Sequence, residues 1–138
     1  MVAAVANGGT LYRLRLVTRI GGGAGIAEEV FPSEQKGKLP ISAATLASLR
    51  DGLRKVTTDP KGTAYGAFRV SKIVSAGKTG TAEVLKEGEP HAWFAGYAPA
   101  DQPRIAVVVF VEHGGEGSKV AFPIFRQIVE KYLTLPNK

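Results

Sequence analysis

Apolar positions along this chain follow two periodicities, and each predicts a different kind of element. Leu46, Leu49, Leu53 and Val56 recur at spacings of three, four and three, which makes one apolar stripe on a helix. Ser42 stands at the N-cap position, so this helix is expected from Ala43 to about Val56, with Asp59-Pro60-Lys61-Gly62 ending it. A second stripe of Phe125, Ile128 and Tyr132, reinforced by Ile124 and Val129, predicts a closing helix over residues 119–133. Pro123 falls in its first turns, where the missing N–H removes no critical hydrogen bond. At the other end, Val2, Ala3, Val5 and Ala6 read as the last turns of a buried helix capped by Asn7-Gly8-Gly9.

Strand patterns dominate the rest. Residues 73–84, 91–97 and 104–111 read as three strands, joined by the polar turn Lys86-Glu87-Gly88-Glu89-Pro90 and by residues 99–103. Such short connections predict an antiparallel meander. The third strand is almost wholly apolar, so it is expected at the centre of the sheet, covered on both faces. Residues 11–17 alternate apolar with Tyr12, Arg13 and Arg15, like a short edge strand. Residues 18–40 are glycine-rich and polar, with a small apolar patch at Ile26, Ala27, Val30 and Phe31; a surface excursion with one weak strand is expected. Residues 63–70 read as a connection. The simplest consistent architecture is α+β, an antiparallel meander flanked by helices on both faces.

Composition narrows the function. A chain of 138 residues suits one modest domain or a large piece of one. The abrupt start inside an uncapped apolar helix leads us to expect that Met1 is internal to something longer. No cysteine is present, which removes disulfides, zinc–cysteine clusters and thiol nucleophiles. The longest apolar run, Ile105 to Val111, is far short of the roughly 20 residues of a membrane span. The opening residues lack the pattern of a signal peptide. A net charge of +6 favours anionic partners. However, Arg13, Arg15, Arg19, Lys36, Lys38, Arg50, Arg54, Lys55, Lys61, Arg69 and Lys72 are spread over several elements, with no reader helix and no aromatic interleaving. Nucleic acid is therefore not an expected partner.

Two glycine motifs fail as nucleotide sites. From Gly21 or Gly23, the sixth position of a Gly-x-Gly-x-x-Gly frame is Ile26 or Glu28. Gly77-Lys78-Thr79 lacks the upstream glycine of a phosphate loop, since position 72 is Lys72. Lys78-Thr79-Gly80-Thr81 fits another chemistry: it is the Lys-Thr-Gly element of active-serine, penicillin-recognising enzymes, carried here on a strand. A strand bordering a cleft offers its backbone to an extended peptide, and Gly80 permits close approach. The ammonium and the hydroxyls can receive a carboxylate and orient donors toward developing negative charge.

The surroundings strengthen this reading. Ala3-Ala4-Val5-Ala6-Asn7-Gly8-Gly9-Thr10-Leu11-Tyr12 precedes the motif, with Gly62-Thr63-Ala64 between. His91-Ala92-Trp93-Phe94-Ala95-Gly96-Tyr97-Ala98-Pro99 and the apolar strand follow it. In this combination the chain resembles the C-terminal part of the transpeptidase domain of class B penicillin-binding proteins, the type serving side-wall elongation. The resemblance covers essentially residues 1–138 and implies the C-terminal portion of the penicillin-binding and serine β-lactamase-like fold. It implies peptidoglycan cross-linking by acyl transfer: a serine attacks the D-Ala-D-Ala bond of a stem peptide, and an amine of another stem resolves the acyl-enzyme. Lys78 is then expected to supply positive charge and a hydrogen bond near the serine of the family's second motif, Ser-x-Asn. Thr79 and Thr81 would bind the terminal carboxylate of a stem peptide or β-lactam, with Gly80 between them, and the Thr81 N–H would be an oxyanion donor. Implied also are a bacterial inner-membrane parent with its catalytic domain outside and a glycosyltransferase partner of the rod complex. No cofactor is implied.

One departure matters. The family carries Ser-x-x-Lys at a helix start and Ser-x-Asn, both upstream of Lys-Thr-Gly. Ser33-Glu34-Gln35-Lys36 matches the first pattern only by letters, in a polar loop beside Pro32 and Gly37. Ser75-Ala76-Gly77-Lys78 also matches by letters, but a strand sends residues three apart to opposite faces. No Ser-x-Asn triplet occurs. The nucleophile is therefore expected outside these residues, in an N-terminal part, and the chain alone is expected to be inactive and to expose apolar sheet or helix faces. His91 and His113 lack ligand spacing, so turn and strand-end roles are expected rather than a metal site. Glu28-Glu29 reads as solvated charge. Trp93, Phe94 and Tyr97 read as core aromatics, with Trp93 the candidate for lining the cleft. A serine β-lactamase or D,D-carboxypeptidase fragment and a non-catalytic binding or scaffold module are the alternatives.

Overall fold

The computed structural model describes residues 1–68, 71, 73–84 and 88–135. Arg69 and Val70 of the expected connection, Lys72, and Lys86 and Glu87 of the expected turn lie outside the described residues. The chain runs α1 (Val2–Ala6), β1 (Thr10–Tyr12), β2 (Arg19–Ile20), β3 (Glu29–Val30), β4 (Gln35–Lys38), α2 (Ala43–Thr58), α3 (Tyr65–Phe68), β5 (Ala76–Ala82), β6 (His91–Ala98), β7 (Ile105–Val111) and α4 (Ala121–Thr134).

The meander forms as expected. Strands β5, β6 and β7 make an antiparallel sheet in that order. The β5–β6 register runs from Ala76 opposite Tyr97 to Ala82 opposite His91. Within it, Gly77 faces Gly96 and leaves a slot on one face of the sheet. The Phe94 ring fills that slot, 2.7 Å from where a Cβ on either glycine would stand. Phe122 and Phe125 of α4 close on the same ring, with centroids 4.8 and 4.6 Å away. Ala92, Ala98, Val109, Ala121 and Val129 complete this core.

A second core lies on the other face, since Ala76 and Tyr97 stand one residue out of phase with the glycine pair. There Val5 and Ala6 of α1 pack with Ala76, Tyr97 and Ala100, against Leu46 and Leu53 of α2. Ser42 caps α2 as expected, its Oγ accepting from the Thr45 N–H at 3.0 Å. The helix outruns its expected end through Thr57 and Thr58. Thr57 is fully buried and donates its hydroxyl to the Ser75 carbonyl at 2.6 Å, with the Arg54 carbonyl also in reach at 3.0 Å. A threonine that costs helix propensity is retained here because its hydroxyl ties α2 to the start of β5.

Four expectations need correction. Strand β7 is not central: β6 is, and β7 lies at one edge of the three-stranded order. Its inward residues face α4, whereas Val108 and Phe110 are 57% and 48% exposed on the other side. An apolar run records that both faces are apolar, not that this chain covers both. The buried stripe of α4 is Ala121, Phe122, Phe125 and Val129, and Ile124, Ile128 and Tyr132 are exposed. Leu49 is likewise exposed on α2. The strand expected over 11–17 is only β1, paired to β4, and the excursion after it holds β2, β3 and β4 rather than one strand. Its extra pairing is local, between arms too short to show periodicity.

Gly96→Ala in a polypeptide carrying this domain is expected to lower the urea midpoint by an amount equivalent to roughly 1–3 kcal/mol, the usual cost of overpacking. An unchanged midpoint would show that the Phe94 ring and the Ala76 carbonyl, 2.7 and 2.6 Å from that Cβ position, both yield without cost. Ser42→Ala should cost about 1 kcal/mol through the lost cap, read in the same titration.

Candidate active site

Strand β5 carries Lys78-Thr79-Gly80-Thr81, and among the described residues no strand lies beyond its outer edge. A strand in that position presents alternate backbone N–H and C=O groups away from its partner. The pleat sends Lys78 and Thr79 to opposite faces. They meet nonetheless, because the lysine curls over the edge: its Nζ donates to the Thr79 carbonyl at 2.7 Å and to Thr79 Oγ1 at 3.3 Å. Lys78 and Thr81 are exposed, and Thr79 and Gly80 are half-buried.

Trp93 pairs with Gly80 and so shares the face of Lys78. It is 39% exposed and packs on Phe110, with ring centroids 4.4 Å apart. Phe94 and Tyr97, by contrast, are fully buried in the two cores. A Cβ at Gly80 would lie 3.1 Å from the Trp93 Cβ, so a side chain there would crowd the indole. Behind the motif, the buried Gly117 lays its backbone against Gly80 and Trp93, more closely than any side chain would allow.

One contact was not legible from the sequence. Thr63 follows α2 in a turn without periodicity, yet its Oγ1 lies 2.8 Å from Thr79 Oγ1. Only the fold brings these two hydroxyls together across 16 residues.

The remaining candidates separate from this edge. Ser33 sits in the connection between β3 and β4, where its Oγ accepts from Arg15 Nη2 at 3.0 Å. Lys36 pairs with Glu34 at 2.7 Å. A serine whose oxygen faces a guanidinium, with its lysine held by a carboxylate, is not an activated nucleophile. Ser75 is buried, whereas Lys78 is exposed. Glu28 pairs with Arg19 at 2.8 Å on the surface. His113 donates its backbone N–H to His91 Nδ1 at 2.9 Å, and its own Nδ1 lies 3.0 Å from the Glu89 carbonyl. The two histidines thus fasten the end of the β5–β6 hairpin to the segment after β7. Among the described residues no group of three or more His, Cys, Asp or Glu could hold a metal ion.

Comparison with known proteins places this geometry. The family described as "Penicillin binding protein transpeptidase domain" matches residues 1–130. Peptidoglycan D,D-transpeptidase PbpA of Mycobacterium tuberculosis is 36% identical over 143 residues, covering 96% of this chain and 28% of the relative. The solved structure of Pseudomonas aeruginosa PBP2 in complex with WCK 5153 superposes with a TM-score of 0.81 at 34% identity, over 97% of this chain and 28% of that one. The penicillin G acyl-enzyme complex of penicillin-binding protein A from M. tuberculosis superposes with a TM-score of 0.78 at 29% identity, over 96% of this chain and 30% of that one. The chain thus spans less than a third of the length of these relatives. Its sheet, its flanking helices and its sequence make it a member of the penicillin-binding protein transpeptidase family, of the class B, elongation type.

Proposed function

We propose that these 138 residues supply the carboxylate-binding and oxyanion strand of a serine D,D-transpeptidase that cross-links peptidoglycan stem peptides and is acylated by β-lactams. The observation that carries this reading is the open edge of β5, where Lys78 Nζ and the Thr79 hydroxyl converge within 3.3 Å. An extended D-Ala-D-Ala terminus lies along that edge as an added strand. Its carboxylate accepts from the hydroxyls of Thr79 and Thr81. The Thr81 N–H stabilises the oxyanion as the serine oxygen adds to the scissile carbonyl. Lys78 holds positive charge beside the serine of the family's Ser-x-Asn motif, which belongs to a segment outside these residues. The terminal D-Ala then leaves, and the amine of a second stem displaces the serine from the acyl-enzyme. Trp93 forms one wall of the cleft.

The serine and its lysine base belong to a segment outside these residues, because Ser33 Oγ is engaged by Arg15, Lys36 is paired with Glu34, and Ser75 is buried. The exposed apolar face of Trp93, Val108 and Phe110 supports this, as it is the kind of surface such a segment covers. A relative captured as a penicillin G acyl-enzyme supports the β-lactam part of the reading. We place the whole protein in the bacterial inner membrane, its catalytic domain outside, beside a rod-complex glycosyltransferase. No helix among the described residues is long and apolar enough to cross a membrane.

Intact mass after incubation with a fluorescent penicillin tests the division of labour. The 138-residue chain alone should gain no adduct, and a full-length polypeptide containing it should gain one per molecule. An adduct on the isolated chain would overturn the placement of the nucleophile and direct attention to Ser33. In the full-length polypeptide, Lys78→Ala should slow acylation by about 100-fold or more, as expected for loss of a preorganised positive charge from the site. An unchanged rate would remove Lys78 from the site.

A further inference from the structure

Thr63 lies outside the Lys-Thr-Gly strand, but the fold commits several interactions to its position. Gly62 presses its backbone on the carbonyls of Lys55 and Val56, at the last turn of α2, more closely than a Cβ would permit. The Gly62 N–H donates to the Asp59 carbonyl at 2.7 Å, and the Lys61 N–H donates to Asp59 Oδ1 at 2.8 Å. On the other side, Ala64 donates its N–H to the Val56 carbonyl at 3.0 Å and is 1% exposed in the core beneath α4. The same turn of α2 holds β5 through Thr57 and the Ser75 carbonyl. Thr63 and Thr79 are therefore referenced to one rigid support, and their hydroxyl oxygens stand 2.8 Å apart.

Donor arithmetic gives the contact a direction. An ionised carboxylate only accepts, so it takes the single proton of the Thr79 hydroxyl. The Thr79 oxygen is then free only to accept. Lys78 already donates to it, and the Thr63 hydroxyl is a second donor within reach among the described residues. Two donors on one oxygen fix the rotor and polarise its O–H outward. We propose that Thr63 is a positioning residue that orients the Thr79 hydroxyl for the substrate carboxylate, and so contributes to selection of substrates with a free carboxyl terminus.

This inference rests on the carboxylate-binding reading of β5, and the experiment separates the two. The second-order rate constant of acylation is measured on a full-length polypeptide containing these residues, with penicillin G and with its methyl ester, whose carboxylate is blocked. Thr79→Val should slow the free acid and spare the ester, narrowing their ratio by about tenfold, the worth of one hydrogen bond to a charged group. Thr63→Val should narrow the ratio by about threefold to tenfold in the same direction, and Thr63→Ser, which keeps the hydroxyl, should restore it to within about twofold. If Thr79→Val leaves the ratio unchanged, the carboxylate reading falls and takes the inference with it. If Thr79→Val narrows the ratio but Thr63→Val does not, or slows acid and ester alike, Thr63 is a structural residue and the inference alone is overturned. Failure of Thr63→Ser to restore the ratio overturns it as well.

Discussion

The site depends on a slot one ring wide. Gly77 and Gly96 face each other across β5 and β6, and the Phe94 ring lies over both, held from above by Phe122 and Phe125. A slip of one residue in this register would put side chains under the ring and turn every β5 residue to the opposite face. The slot therefore decides that Lys78 shares a face with Trp93, and that Thr79 and Thr81 stand on the other side of the pleat. Core packing and site geometry are here the same constraint, and α4 contributes to the site through the Phe94 ring.

A second support comes from the end of α2. Thr57 anchors β5 through a buried hydroxyl, and the turn carrying Thr63 is fixed to the Val56 carbonyl, one residue earlier, by the Ala64 N–H. Sites built on regular elements hold side chains more accurately than sites on free loops. Here even the loop residue is referenced to a helix. The excursion between β1 and β4 shows the contrast. Its ion pairs, Arg13–Glu34, Arg19–Glu28 and Lys36–Glu34, are all well exposed, and such pairs contribute little stability each. Leu14 and Leu16 remain almost wholly in solvent beside them.

Apolar exposure elsewhere is more ordered. Trp93, Val108 and Phe110 form one patch on the sheet, and Ile124, Ile128 and Tyr132 form another on α4. Covering side chains of this size stabilises a contact by roughly 1.5–3 kcal/mol each when burial is complete. Both patches are thus surfaces with a driving force for association, and the first adjoins the face of Lys78.

The amino-acid sequence alone determined what depends on near neighbours in the chain. The α2 cap at Ser42, the stop at Asp59-Pro60, the antiparallel meander of β5, β6 and β7, and the Lys-Thr-Gly-Thr motif on a strand are all local, because caps, turns and pleats are set within a few residues. What the sequence left open was every question of which partner lies across a gap. The apolar run of β7 looked the same whether or not a neighbour covered it, so its edge position emerged only from strand order. The stripes of α4 were ambiguous because apolar residues occur on more than one face, and the aromatic slot chose Phe122 and Phe125 over Ile128 and Tyr132. Thr63 carried no signal of its own, since a hydroxyl in a turn acquires meaning only from the group opposite it. That group, Thr79, was placed by tertiary packing, through contacts whose geometry no periodicity in the chain encodes.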